Sequence, residues 1–132
     1  MIKKIEIYDF LHKVDEEIRS RPSSLSPRES FRHAASQYDV ITVKGVGTIP
    51  AWFAVLHEDI HDELGHQTNI TRSRAQAIKD EKDVWSVAVP RLVLEGRWTK
   101  SMQTFAVHSL GNYTGSRMEA RRFIQSLSRR SQ

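Results

Sequence analysis

Near the N-terminus, apolar residues recur every three or four positions and polar residues fill the spaces between them. The recurring residues are Ile7, Phe10, Leu11, Val14 and Ile18. This spacing predicts a helix over about 6–20. After a segment rich in Pro and Ser, Ser26 as N-cap, Pro27 and Glu29 form a capping box, which predicts a second helix that ends near residue 37.

The pattern then changes from β-branched residues to a further helical repeat. Residues 40–43 read VITV, which predicts a strand. The GVGTIP that follows lacks the third glycine of a dinucleotide fingerprint and the lysine of a P-loop, so we expect no nucleotide site there. Thr48 and Gly65 are typical of the N-cap and the C-terminal stop of a helix over about 50–64. Its expected buried stripe is Phe53, Leu56, Ile60 and Leu64.

In the second half of the chain the apolar runs are longer and their period is ambiguous. We expect Thr71 to cap a helix through Lys82. The β-branched residues of 84–94 predict an edge strand or two short strands, because Pro90 interrupts them. Residues 103–110 (QTFAVHSL) predict another strand, which ends at the turn signal GNYTG.

A second capping box, Ser116 with Glu119, opens a basic C-terminal helix at about 116–130. Together these elements predict an α+β fold in which four to five helices pack on a small, mainly antiparallel sheet. The length of 132 residues is that of one domain, so we expect a single compact domain over 1–132.

Composition excludes several classes of protein. The chain is 39% hydrophobic and 27% charged, as in ordinary soluble domains, and it has no apolar run long enough to span a membrane. The absence of cysteine excludes disulfide frameworks, zinc ribbons, iron–sulfur clusters and thiol catalysis. The N-terminal residues do not resemble a secretory signal. We therefore expect a cytoplasmic protein with no membrane partner.

The net charge of +4 is concentrated at one end of the chain. Residues 1–114 hold 15 Lys and Arg against 15 Asp and Glu, so their charges cancel, whereas Glu119 is the only acid among five arginines in 115–132. Arginine suits bidentate recognition of phosphate. The leading prediction is a binding protein whose C-terminal helix engages nucleic acid or a nucleoprotein, and the five residues are Arg117, Arg121, Arg122, Arg129 and Arg130.

Further basic residues, Arg97 and Lys100, lie among aromatic residues in the second half. On a sheet, such aromatics could stack on bases while the cations hold phosphates. The aromatic residues are Trp85, Trp98, Phe105 and Tyr113. Core packing is the alternative explanation for each tryptophan.

A second hypothesis is a protein–protein adaptor or inhibitor that meets a charged protein surface. Residues 38–66 hold five acids and only one basic residue, Lys44, so the chain has an acidic segment as well as a basic end.

A third hypothesis comes from His57-Glu58-Asp59-Ile60-His61, which matches H-E-x-x-H. Two histidines one helical turn apart can both bind zinc, and Glu58 would then be the catalytic base of a zinc hydrolase. The third ligand is open. His66 follows His61 by five residues rather than by six, and Glu81 or Glu95 could supply a downstream carboxylate.

Acidic residues on the same helix weigh against this third hypothesis, because helices of this kind usually carry uncharged residues around the histidines. The residues are Asp59, Asp62 and Glu63. If the protein is not such an enzyme, we expect no cofactor.

Overall fold

A computed structural model describes residues 1–20, 26–66 and 72–130. Within these ranges the elements follow in the order β1 (Lys4–Glu6), α1 (Ile7–Ser20), α2 (Pro27–Ala35), β2 (Val40–Val43), β3 (Gly47–Pro50), α3 (Ala51–Glu63), α4 (Arg74–Leu94), α5 (Lys100–Thr114) and α6 (Arg117–Arg130). The fold is α+β, as predicted, but the described chain has six helices rather than four or five.

The contacts divide the chain into two compact units, Met1–Asp59 and Ile60–Gln132, and α3 contributes residues to both. The prediction of one domain over 1–132 stays a prediction. Each unit is described by itself below.

The first unit contains the three-stranded sheet. β1 pairs in parallel with β2, with Ile5 opposite Ile41, and β2 pairs with β3 in antiparallel orientation, with Ile41 opposite Ile49. The sheet is therefore mixed, which corrects the prediction of a mainly antiparallel one. The sequence signal failed because β1 is only three residues long and merges into α1, so its pattern is masked by the helical repeat.

The capping box of the first unit is matched by the structure, whereas Thr48, predicted as the N-cap of α3, lies in β3 and α3 begins at Ala51. The Ser26 side chain accepts a hydrogen bond from the backbone N–H of Glu29 at 3.2 Å, as the capping box predicts. Gly45 has φ +79° in the turn between β2 and β3, a conformation that residues with a Cβ rarely adopt. Phe10 and Phe31 meet edge to face, with ring centroids 5.2 Å apart, and pack α1 against α2.

In the second unit, α4, α5 and α6 pack together around an apolar core. Its fully buried side chains are Ile60, Val84, Trp85, Val89, Leu92, Met102, Leu110 and Ile124. Gly115, with φ +74°, ends α5 and lets the chain turn into α6.

The strands predicted over 84–94 and 103–110 are wrong, since these residues lie in α4 and α5. A run that is apolar on consecutive positions fits a buried helix as well as a strand. The N-cap of α5 is a local signal that would have predicted this helix. The Thr99 hydroxyl accepts a hydrogen bond from the N–H of Met102 at 3.2 Å.

Pro90 lies inside α4 rather than on an edge strand. A proline within a helix removes one backbone hydrogen bond and costs about 3 kcal/mol. Burial of the residues around it, Ala88, Val89 and Leu92, offsets that cost. Ser73 is the N-cap of this helix, with its hydroxyl 3.1 Å from the N–H of Gln76, whereas the predicted cap, Thr71, lies outside the described residues.

Among the described residues, no helix is both long enough and apolar enough to span a bilayer.

Candidate metal centre

Helix α3 carries the complete H-E-x-x-H pattern. His57 and His61 are four residues apart in one continuous helix, and this spacing places them on the same face, one turn from each other. The side chain of His57 is 13% exposed and its Nδ1 lies 3.6 Å from Oε1 of Glu58. Glu58 itself is 41% exposed, so its carboxylate is accessible to solvent.

His61 is buried against helix α4. Its Nε2 lies 3.1 Å from Oε1 of Glu81, and the two side chains are only 5% and 4% exposed. A buried carboxylate is costly unless it is paired. Of the two downstream acids considered from the sequence, Glu81 is the one that lies against His61. Glu95 is instead half exposed and lies 3.6 Å from Arg97.

The other ring nitrogen of His61 faces His66. The two Nδ1 atoms are 2.9 Å apart, and Nε2 of His66 lies 3.5 Å from Oδ1 of Asp80. His66 thus contacts the nitrogen of the His61 ring nearer the backbone, opposite the nitrogen that faces Glu81.

Asp80 and Glu81 are further held by side chains that the sequence did not single out. Arg72 donates to Oδ2 of Asp80 at 2.8 Å, and Gln76 donates to Oδ1 at 2.7 Å. Although burial raises the pKa of Asp80, the hydrogen bonds from Arg72 and Gln76 outweigh it, so the pKa lies below its usual value.

Tyr113 on α5 completes the cluster. Burial and the neighbouring Glu81 carboxylate raise the pKa of Tyr113, and the neighbouring Arg72 guanidinium lowers it by less. We call this cluster of neighbouring polar side chains the polar ring: Glu81, His61, His66, Asp80, Arg72 and Tyr113.

The distances within the polar ring suit zinc. Two ligands bound to tetrahedral Zn²⁺ at about 2.0 Å have their donor atoms about 3.3 Å apart. The 3.1 Å between His61 and Glu81 is close to that value, and imidazole nitrogen with carboxylate oxygen is a donor set that zinc accepts. His57, one turn earlier on α3, offers a second imidazole.

The acidic residues that weighed against the motif have separate explanations. Asp59 accepts hydrogen bonds from Arg28 at 2.9 Å and from Arg32 at 2.9 Å. Burial raises the pKa of Asp59, but these two arginines lower it more, so the carboxylate stays charged and neutralised. Asp62 and Glu63 are exposed at the end of α3. None of the three argues against a metal at the histidines.

A surface depression of about 430 Å³ opens beside His66 and Asp80, and Gln76, Lys79 and Asp83 also line it. His66, Asp80 and Asp83 offer potential ligand atoms within 4.8 Å of one another. However, Asp83 is already bound by Lys79 at 3.0 Å and Asp80 by Arg72.

The five C-terminal arginines all lie on α6 and are all exposed. Apolar residues on the opposite side, Ala120, Ile124 and Leu127, attach the helix to the second unit. Among the described residues, none of these arginines forms an ion pair. A second depression, of about 380 Å³, is lined by Arg117 together with His108 and Asn112.

The predicted aromatic sheet does not exist in this part of the structure. Trp85 lies on α4 and is fully buried, Phe105 packs edge to face against it with centroids 6.3 Å apart, and Tyr113 belongs to the polar ring. Arg97 and Lys100 are exposed around the start of α5. This corrects the expectation of a base-stacking platform on strands.

No protein-family model matches the chain, and no curated protein or solved structure is significantly similar to it. The chemistry of the site therefore has to be argued from its own residues.

Proposed function

We propose that the protein is a zinc-dependent hydrolase of the H-E-x-x-H type, with peptide bonds as its substrate class. The observation that carries the proposal is the buried contact of 3.1 Å between His61 and Glu81, which gives the two-histidine motif a carboxylate partner. Two histidines and one carboxylate are the protein ligands of one of the common catalytic zinc sites, which keep a fourth position for water.

In this proposal His61 and Glu81 would hold the ion together with His57, the other histidine of the motif on α3, and Glu58 would be the base. Zinc supplies Lewis acidity, which polarises a carbonyl group and makes water more acidic. Glu58 accepts one proton from the attacking water as its oxygen bonds to the carbonyl carbon. Glu58 then returns that proton to the leaving amine nitrogen as the C–N bond breaks.

The exposures of the side chains match these roles. The proposed ligands His61 and Glu81 are almost fully buried, whereas Glu58 is 41% exposed and can meet a substrate. Burial favours a fixed ligand geometry, and exposure favours access for the base.

The hydrolase proposal is tested on a mixed peptide library, with new N-termini detected by mass spectrometry. Zinc-loaded wild-type protein should cut peptides, and Glu58→Gln should lose about 10²–10⁴-fold in rate while it keeps its zinc. Glu119→Gln, which alters an exposed acid on α6, is the matched control and should cut at the wild-type rate. Equal rates for wild-type protein and Glu58→Gln would contradict the assignment of the base.

A second function, nucleic-acid or nucleoprotein binding through α6, is favoured by a separate observation. Arg117, Arg121, Arg122, Arg129 and Arg130 are exposed and have no ion pair among the described residues. Charges that no acid neutralises within the protein remain available to phosphates.

Fluorescence anisotropy with labelled DNA and RNA, titrated across salt, tests this second function. Binding that weakens steeply as salt rises supports phosphate contacts. If no nucleic acid binds at low salt, we expect the arginines to bind an acidic surface of a protein partner instead, as the adaptor hypothesis predicts.

A further inference from the structure

The polar ring has more members than a zinc site needs as ligands, and this excess carries a further inference. In the proposal His66, Asp80 and Arg72 bind neither zinc nor substrate, and Gln76 adds a further hydrogen bond to Asp80. They are nevertheless arranged in order, from the His61 ring to the surface, by contacts of 2.9, 3.5, 2.8 and 2.7 Å. The inference rests on the proposed zinc site.

The order of hydrogens along this series follows from elementary chemistry. A neutral imidazole has one N–H and one lone pair, so a His61 that binds metal through Nε2 carries its hydrogen on Nδ1. That hydrogen points at Nδ1 of His66, 2.9 Å away, which must then be an acceptor. A neutral His66 consequently carries its own hydrogen on Nε2.

Nε2 of His66 lies within ion-pair distance of a carboxylate, at a separation longer than that of a typical hydrogen bond. Oδ1 of Asp80 lies 3.5 Å away, and the Asp80 carboxylate is fixed in place by Arg72 and Gln76. With zinc on Nε2 of His61, the Nδ1–H of His61 therefore has a single direction, toward His66, and the Nε2–H of His66 lies on the side of Asp80. In this arrangement Nε2 of His66 is a donor, so the group His66, Asp80 and Asp83 is not a second metal site.

We propose that His66 is the positioning residue of the metal centre: it accepts the Nδ1–H of His61 and so selects Nε2 as the nitrogen that binds zinc. Loss of a hydrogen bond of this kind to a ligating histidine typically lowers metal affinity by about 10–100-fold. His66 is thus a supporting residue and not the third ligand that the sequence left open.

The first test measures zinc affinity by competition with a chromogenic chelator. His66→Leu removes the acceptor and should weaken zinc binding by about 10–100-fold. His66→Gln keeps an amide oxygen that can accept from His61 and should recover part of that loss. Asp83→Asn changes the wall of the same depression without touching His61 and should bind zinc as the wild type does.

The second measurement is ¹⁵N NMR of the His61 ring in zinc-loaded protein, a readout that a merely structural role of His66 does not move. We expect a hydrogen on Nδ1 and zinc on Nε2 in the wild type, and a mixture of the two binding modes in His66→Leu. Unfolding of each variant without zinc shows whether a loss of affinity reflects a loss of fold.

The outcomes separate the inference from the hydrolase proposal. If the wild type binds zinc and His66→Leu binds it equally well through Nε2, the positioning role is overturned while the zinc site stands. If the wild type binds zinc as described but cleaves no peptide, the hydrolase proposal fails and the positioning role stands. If the wild type binds no zinc, both are overturned.

Discussion

Two regions of the second unit, the polar ring and α6, differ in how their charged and polar side chains are solvated. In the polar ring, titratable side chains are packed together, and His61 and Glu81 are almost completely buried and contact each other at 3.1 Å. On α6, five arginines are exposed, and none has an ion-pair partner among the described residues. Desolvated groups need fixed partners, whereas solvated groups do not.

The difference between these regions separates two kinds of binding. A buried ring that is already assembled suits a small cation, which replaces contacts of similar length. An exposed arginine helix suits a large polyanion, whose affinity arises from released counterions and therefore depends on salt. The polar ring and α6 should accordingly respond to different ligands.

The largest effect should come from opening the polar ring. We expect His61→Ala to lower the affinity for zinc by more than about 100-fold, because a loss of that size is typical when only a hydrogen bond to a ligand is removed. Without zinc, the variant leaves Glu81 buried without its histidine partner, which costs about 3 kcal/mol of unfolding free energy. Metal analysis and urea unfolding measure the two effects.

His12→Ala is the control for this change, because His12 is 71% exposed on α1 and pairs with Glu16 one turn away. It should keep both zinc and stability. A His61→Ala protein with wild-type zinc content would show that the ring is not a metal site.

A smaller effect is expected on α6, and it should concern polyanions alone. Replacing Arg121 and Arg122 together by alanine removes two phosphate contacts and should lower the slope of log K against log salt by about 2. Lys13→Ala combined with Lys44→Ala removes the same charge from exposed positions of the first unit. If both double variants reduce the slope equally, net charge rather than α6 determines binding.

Arginines that are paired should matter more to stability than those on α6. Arg28 donates to Asp59 at 2.9 Å, so Arg28→Ala should lower the free energy of unfolding by about 1 kcal/mol. Arg122→Ala, on exposed α6, should change it by less than about 0.5 kcal/mol. Thermal or urea unfolding compares the two, and equal losses would contradict the contrast between paired and solvated arginines.

The smallest effect concerns pH. Because Arg28 and Arg32 hold the pKa of Asp59 below its ordinary value of 3.8, the charged carboxylate stabilises the folded state. This stability is fully present above the unfolded pKa and is lost as the pH falls through the lower, folded pKa. Asp59→Asn should therefore be less stable than the wild type at neutral pH, and the difference should shrink below about pH 4. If the difference in stability between wild type and Asp59→Asn does not change with pH, the charge of Asp59 does not stabilise the folded state.

Local signals in the sequence were sufficient for several features. The capping boxes at Ser26 and Ser116 place the starts of α2 and α6, because a cap depends only on residues within one turn. The spacing of His57 and His61 likewise fixes a shared helical face without knowledge of the rest of the fold.

Features that depend on distant residues could not be predicted in this way. The apolar residues of 84–94 fit the repeat of a buried helix as well as that of a strand. Their packing in the core of the second unit determines that they form part of α4. The sequence offered Glu81 and Glu95 equally, and the choice between them requires the approach of α4 to His61. The neutralisation of Asp59 by Arg28 spans 31 residues and has no local signature.

The central claim is that the polar ring, with His57 one turn earlier on α3, is a zinc centre. Native mass spectrometry of protein purified without a chelator or a histidine tag tests it most directly, with His12→Ala and His61→Ala measured alongside. The account predicts one zinc per chain in the wild type and in His12→Ala, and none in His61→Ala. A wild-type chain that stays folded and binds no zinc when the ion is supplied would contradict it.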